Sequence, residues 1–191
     1  IRIVSESFEK TIVLINSVYA CSYEFLDKYD VEACLWVSGG GQAGAYSIPK
    51  ILNGKVNPSG RLTYTVPYDF RDDPSYYNGS TVGGNSAHAS YVEDIYVGYR
   101  WFETADAENY WNDRTRTFEK TLQGSGTETV SKTGYDAVVQ FPFGFGLSYT
   151  DFDMVVEDFT STDTVLNEKS VITVDVTVTN VGSVKGKQVV Q

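Results

Sequence analysis

Phe141-Pro-Phe-Gly-Phe-Gly-Leu-Ser-Tyr-Thr150 fits neither a helix nor a regular strand, because Pro142, Gly144 and Gly146 interrupt three large aromatic side chains. Phe143 and Phe145 can bury their faces only if the glycines let the backbone turn close to its neighbours. The stretch therefore reads as a tightly specified connector between two differently built regions, and the pattern on either side of it supports that reading.

Upstream, apolar runs alternate with stretches of helical spacing. Thr11-Ile-Val-Leu-Ile15 and Ala33-Cys-Leu-Trp-Val37 are short continuous apolar runs, and Arg61-Leu-Thr-Tyr-Thr-Val66 is a third strand closed by Pro67. Between them, Ser17 to Tyr29 and Ala43 to Leu52 allow helical faces, the second stopped by Asn53-Gly54. Strand, helix, strand, helix, strand predicts a parallel sheet covered on both faces. Residues 68 to 140 carry turn signals at Asp73-Pro74, Asn78-Gly79 and Gly83-Gly84 and read as long ordered loops. Tyr91 to Trp101 is rich enough in aromatics to predict burial, whereas Thr121 to Thr133 predicts a mobile surface excursion.

Downstream, the pattern becomes strict alternation. Val174, Val176 and Val178 are predicted to face inward while Thr173, Asp175, Thr177 and Thr179 face out, as in a half-buried antiparallel strand. Asn180 to Gly186 supplies a turn, and Lys187 to Gln191 is expected to begin another strand. A β-sandwich needs about seven strands, so this end reads as a cut. The start, at Ile1 and without a signal-peptide pattern, reads as another.

Composition narrows the function. The chain has 191 residues, 41% hydrophobic, with 14 Tyr and 3 Trp, which argues against disorder. A net charge of −10 argues against nucleic acid as a partner. No apolar run approaches the roughly 20 residues that span a bilayer, so the chain reads as soluble, with its compartment open. Cys21 and Cys34 lack metal-binding spacing, and with His88 as the single histidine a zinc site is not expected. Both cysteines read first as small buried hydrophobes, with a disulfide between them as the alternative. Asn78-Gly-Ser80 matches a glycosylation sequon, but Asn-Gly is a favoured tight turn and the stretch reads as one.

Gly39-Gly-Gly-Gln-Ala-Gly44 satisfies G-x-G-x-x-G, but no acidic residue ends the next strand to hold a ribose, and tight strand-to-helix packing explains the glycines. Glu93 and Asp94, beside Tyr91 and Tyr96, are the eye-catching carboxylates for sugar chemistry. Retaining glycosidases need two carboxyl groups about 5 to 5.5 Å apart, and neighbours in an extended segment point to opposite faces. One of the two is expected to pair with Arg100 or Arg61. Asp69, Asp72 and Asp73 around Arg71 lack the spacing of a hard-cation loop and read as a solvated turn. His88 reads as a surface residue, and Ser38, Ser47, Ser59 and Ser148 lie in no nucleophile elbow.

Five ordered stretches nevertheless resemble family 3 glycoside hydrolases. They are Thr11 to Asn16 with Asp30 to Trp36 and Gly41-Gln-Ala-Gly44; Ile51 to Leu62, similar to L-x-G-x-x-N-P-S-G-R-L; Tyr91 to Arg100, similar to Y-x-E-G-I-Y-V-G-Y-R; Phe143 to Thr150, similar to F-G-x-G-L-S-Y-T; and Val176 to Gln191, similar to V-T-N-x-G-x-x-x-G-x-x-V-V-Q. The resemblance implies a partial parallel-sheet α/β sandwich with long loops over residues 1–150, then the first strands of an antiparallel fibronectin-III-like β-sandwich over 151–191. It implies a retaining exo-β-glycosidase, most often a β-glucosidase, acting on β-linked glucosides or oligosaccharides with no cofactor or metal. In that family the nucleophilic Asp lies on a separate TIM barrel, and the acid/base Glu in a G-E-x-x-D-R-like loop before the strand that Thr11 begins. Neither motif is present here, so no catalytic residue is assigned and this segment is expected to be structural or cleft-shaping. The departures are Asp94 where the family favours Gly, Ala43 where it favours Glu, and an insertion from Glu103 to Asp136. The alternative is a self-standing carbohydrate-binding or surface-interaction module. Self-association of the isolated chain is expected through open strand edges.

Overall fold

The computed structural model describes residues 1–78, 91–122, 124 and 126–190. In chain order the elements are α1 (Arg2–Ser7), β1 (Ile12–Ile15), α2 (Phe25–Lys28), β2 (Ala33–Trp36), α3 (Ile48–Leu52), β3 (Val66–Pro67), α4 (Tyr99–Ala107), β4 (Thr115–Thr121), β5 (Thr127–Thr133), α5 (Tyr135–Val138), β6 (Val139–Phe141), β7 (Phe152–Ser161) and β8 (Ile172–Asn180). Short 3-10 turns precede α3 and follow β3. The chain divides into two compact units, Ile1–Gly44 with Leu62–Phe145, and Ala45–Arg61 with Gly146–Gln191. The Phe141 to Thr150 connector passes from one into the other.

In the first unit β1 and β2 pair in parallel, Ile12 opposite Ala33 through Ile15 opposite Trp36, as their apolar runs predict. The third strand differs. Only Val66 and Pro67 form strand, and they pair antiparallel with β6, so among the described residues the parallel sheet has two strands. Nor is it covered on both faces, since Ile12 and Leu14 are exposed. The expected helix from Ser17 to Tyr29 shrinks to the single turn of α2, because the preceding residues hold an irregular path with Trp36 Nε1 donating to the Ser17 carbonyl at 2.7 Å.

The core of this unit lies where long loops were expected. Phe102 and Ala105 on α4, Trp111, Val138 and Val139 form one buried cluster, with Trp101 and Tyr135 packed against it. Thr121 to Thr133 is not an excursion: β4 and β5 form a seven-pair hairpin, Thr115 opposite Thr133 to Thr121 opposite Thr127. Gly124 and Gly126, at φ +87° and +99°, supply left-handed backbone at its tip. β-branched Thr115, Thr117, Thr121, Thr127, Thr129 and Thr133 favour the pairing, with Phe118 opposite Val130 as its apolar pair. Gly144, at φ +80°, turns the connector so that Phe143 stacks on Tyr99 at 4.6 Å and Phe145 on Phe141 at 4.7 Å.

In the second unit, α3 stops at Asn53-Gly54, with Gly54 at φ +76°. β7 and β8 pair antiparallel, with Met154 opposite Val178, Val156 opposite Val176 and Phe159 opposite Val174, but the row is not the inward face expected, since only Val176 is half-buried and the others are exposed. The register shift between Val156 and Asp158 lets Glu157 bulge, which returns Phe159 to the apolar row. The strand expected from Lys187 is absent among the described residues; 185–190 follows an irregular path instead.

Candidate functional site

The segment around Glu93 is wound as turns, not extended. Asp94 takes φ +51°, a backbone region that favours glycine, and the Tyr96 N–H donates to the Glu93 carbonyl at 2.8 Å. Glu93 is buried and accepts a hydrogen bond from Asn78 Nδ2, while Asp94 is exposed. Neither arginine partner materialises: Arg100 donates to the Ile95 carbonyl at 3.4 Å and Arg61 to Gln188 Oε1 at 2.5 Å. The expected burial of the aromatics fails as well, since Tyr91 is 81% exposed and Val92, Ile95, Tyr96 and Val97 are all exposed. Turns fan these side chains outward where a strand would have sent every second one in.

The acidic loop is built from caps and ion pairs, with Arg71 exposed and Asp69, Asp72 and Asp73 half-buried. Asp69 receives Arg71 in a fork, Nε to Oδ1 at 2.9 Å and Nη2 to Oδ2 at 2.5 Å, and also accepts the Arg71 N–H. That guanidinium holds the Asp69 carboxyl down at about 2. Asp72 pairs with Arg114 at 2.6 Å, its carbonyl accepting from Trp101 Nε1 at 2.8 Å. Asp73 caps the next turn through Ser75. Among the described residues no group of three or more His, Cys, Asp or Glu is placed to hold a metal ion. His88, Gly83-Gly84, and Gly79 and Ser80 of the sequon lie outside the described residues.

The glycine-rich motif packs tightly on itself. An added Cβ at Gly40 would meet Gly44 Cα at 3.0 Å, and Gly41 takes φ +59°. Cys21 and Cys34 are free thiols, both half-buried. Burial, with Cys21 adding to it, pushes the Cys34 thiol up to about 11.

The most built polar cluster was not foreseen. Asp27 Oδ2 accepts from Tyr68 OH at 2.6 Å and Gln140 Nε2 at 2.7 Å, and Oδ1 accepts from Lys132 Nζ at 3.2 Å. Lys132 also donates to Tyr68 OH. Beside it, Glu24 pairs with Lys28 at 2.6 Å and Arg116 at 3.3 Å, and Arg116 lies over the Tyr68 ring at 4.6 Å. Burial first, then the bond to Asp27, raises the Tyr68 phenol above its ordinary range. With both carboxylates held by Lys28, Arg116 and Lys132, this is a clamp of the β4–β5 hairpin onto α2 and not an open catalytic site. Only the Glu24–Lys28 spacing was readable locally; Asp27 and Gln140 are 113 residues apart. An open hollow of about 350 Å³ brings Glu6 and Asp30 together with Ser5, Thr121 and Leu122.

Comparison with known proteins places this geometry. A family model for the glycosyl hydrolase family 3 C-terminal domain matches residues 1–99. The whole chain is similar to a beta-glucosidase of Ruminococcus albus, 32% identical over 191 residues, and to beta-glucosidase A of Butyrivibrio fibrisolvens, 34% identical over 203. It spans 16% and 21% of the length of those relatives. Among solved structures, a beta-glucosidase from Paenibacillus barengoltzii superposes with a TM-score of 0.67 at 29% identity, covering 94% of this chain and 16% of that one. A beta-glucosidase from Kluyveromyces marxianus gives 0.65 at 27%, covering 94% and 16%.

Proposed function

The chain belongs to glycoside hydrolase family 3, and from that premise we propose that it is a non-catalytic part of a retaining exo-β-glycosidase that releases terminal β-D-glucosyl residues. The observation that carries the proposal is similarity along the full chain to β-glucosidases of which it matches only a fraction. Retaining hydrolysis needs a nucleophilic carboxylate and an acid/base carboxyl across one glycosidic bond. Here Asp27, Asp69, Asp72 and Glu93 are each committed to side-chain hydrogen bonds within the unit. On this reading residues 1–150 belong to the family's α/β sandwich domain, supported by the parallel β1–β2 pair, and residues 151–191 open a fibronectin-III-like domain, supported by β7–β8.

The test is hydrolysis of an aryl β-glucoside. The 191-residue chain is expected to release no phenol above a mock-purified control, while the native polypeptide carrying this segment releases β-glucose as the first anomer seen by proton NMR. Turnover by the chain alone, or α-glucose as the first product of the native polypeptide, defeats the proposal. A second reading, a sugar-binding module, draws on the exposed rings of Tyr77, Tyr91 and Tyr96. Calorimetric titration with cellobiose separates the two, because a cleft-wall segment alone gives no measurable heat of binding.

A further inference from the structure

β5, the outer strand of the β4–β5 hairpin, carries an edge that no strand among the described residues pairs with. The Leu122 N–H donates to the Gly126 carbonyl at 3.2 Å and the Gly134 N–H to the Arg114 carbonyl at 2.9 Å, and the register between them is unbroken. Antiparallel ladders alternate, so the even-numbered residues of β5 bond to β4, while Thr127, Thr129, Ser131 and Thr133 turn their backbone groups outward. No backbone bond among the described residues meets those outward groups. The other edge of the hairpin differs, since Thr121 of β4 bridges in parallel to Tyr29 and α2 packs along β4. β5 also lacks the usual guards of a strand edge. It has no proline and no bulge, and its one lysine, Lys132, is turned to Asp27 and the Tyr68 hydroxyl. Thr127, Glu128, Thr129, Ser131 and Thr133 are all exposed.

We propose that β5 is a self-complementary edge through which two copies of this chain pair antiparallel about a two-fold axis at Val130. Thr127-Glu-Thr-Val-Ser-Lys-Thr133 matches its own reverse. About that axis Thr127 falls opposite Thr133 of the second copy, Glu128 opposite Lys132, Thr129 opposite Ser131, and Val130 opposite itself. A symmetric strand pair must join outward-facing residues to outward-facing residues, and this register does so, with Thr127–Thr133 and Thr129–Ser131 as its hydrogen-bonded pairs. Moving the axis to Thr129 or Ser131 keeps that rule but sets Glu128 or Lys132 opposite Val130. Of the three, the axis at Val130 alone sets opposite charges and the two valines face to face. Glu128 has no ion-pair partner among the described residues, and Lys132, though bound to Asp27, keeps its side chain 26% exposed. The edge thus carries one charge of each sign, and a chain of net charge −10 meets its copy there without like charges opposed.

The experiment is sedimentation velocity with cysteine crosslinking on the native polypeptide that carries this segment. The parent is expected to sediment as a concentration-dependent dimer. Thr129→Pro removes one outward N–H from each copy and leaves the bonds to β4 in place, because an edge strand accepts proline where its nitrogen faces away from the neighbour. It is expected to weaken the dimer at least about tenfold. Val130→Cys sets two thiols at a non-hydrogen-bonded pair, where Cα atoms stand about 4.5 Å apart and a disulfide can close. Oxidation with copper phenanthroline is then expected to give a peptide joined from position 130 to position 130, identified by mass spectrometry. Thr127→Cys lies opposite Thr133 and not opposite itself, so alone it gives no such peptide. Crosslinking reads the register directly, which keeps the proposal testable even if Thr129→Pro disturbs the hairpin. A monomer at every concentration, with or without another polypeptide bound, overturns the proposal. So does a failure of Val130→Cys to crosslink, or crosslinking as strong from Thr127→Cys as from Val130→Cys.

Discussion

Replacing Gly146 by alanine tests whether the connector is held by close approach of backbones. Gly146 does not sit in the left-handed region, so its backbone suits alanine and only space decides. A Cβ there would lie 2.6 Å from the Gly60 carbonyl oxygen and 2.9 Å from Arg61 Cδ. The first of these atoms is main chain and cannot swing away, so overpacking is expected to cost about 1–3 kcal/mol. Gly60, on the other side of that contact, makes the internal control. A Cβ on it meets no heavy atom within 4 Å and its φ is not left-handed. Gly60→Ala therefore chiefly restricts the unfolded chain and is expected to stabilise by about 0.4–1 kcal/mol. Urea unfolding resolves the two signs. With a slope of about 2 kcal/mol per molar, a loss of about 2 kcal/mol moves the midpoint down by about 1 M, and the Gly60 variant moves it slightly up. A Gly146→Ala midpoint equal to that of the parent chain, or a Gly60→Ala loss of the same size, would refute the reasoning.

Trp111→Ala empties the centre of the first unit's core and is expected to lower stability by about 3–5 kcal/mol, read as the urea midpoint of the transition that reports α4. The Tyr68 phenol is held above its ordinary 10.0, so the folded state keeps a proton that the unfolded state gives up. Its contribution is fully present below pH 10 and lost as pH rises through the folded value; Tyr68→Phe should flatten the fall of the urea midpoint above pH 10. Asp69 is shifted the other way, contributing above its ordinary 3.8 and losing that contribution as pH falls through about 2. A carboxyl-carbon NMR titration should place its midpoint near about 2 and return it towards 3.8 in Arg71→Gln. Cys34, pushed up to about 11, should resist alkylation by iodoacetamide at pH 8 until the chain is unfolded; rapid native labelling would contradict its burial.

The elements legible in the sequence were those whose own residues carry the whole signal. β1 and β2 are continuous apolar runs, and β8 alternates strictly, its valines forming one row opposite Met154, Val156 and Phe159 of β7 across the bulge at Glu157. The β4–β5 hairpin was missed because its alternation is written in Thr, Glu and Lys, and a two-stranded ribbon needs little apolar content beyond Phe118 opposite Val130. β3 misled for a different reason. Arg61 to Val66 has strand composition, yet its backbone is drawn to the connector, with the Leu62 N–H on the Phe145 carbonyl and the Gly144 N–H on the Leu62 carbonyl, both at 2.8 Å. The Asp27 clamp joins residues from several elements far apart in the chain, and no local window contains it.

The family motifs were legible as motifs, but their chemistry was not what their specificity invites. Asn57, Arg61, Gly146, Thr150, Gly182 and Gly186 come from three separate stretches, and each acts on backbone or on its neighbours. Asn57 satisfies three groups at once, and at Gly146, Gly186 and Gly182 an added Cβ would strike the Gly60 carbonyl oxygen, Asn57 Nδ2 and Thr150 Oγ1. Asp94 shows the same rule from the side of departure: at φ +51° it occupies a backbone state where glycine is least strained, which accounts for the glycine that the resembling motif carries there. How narrowly a position is specified measures how many geometric demands meet at it. In this chain those demands concentrate where backbones cross, and the carboxylates that drew attention for catalysis, Glu93 and Asp94, stand in a turn whose demands are steric and hydrogen-bonding.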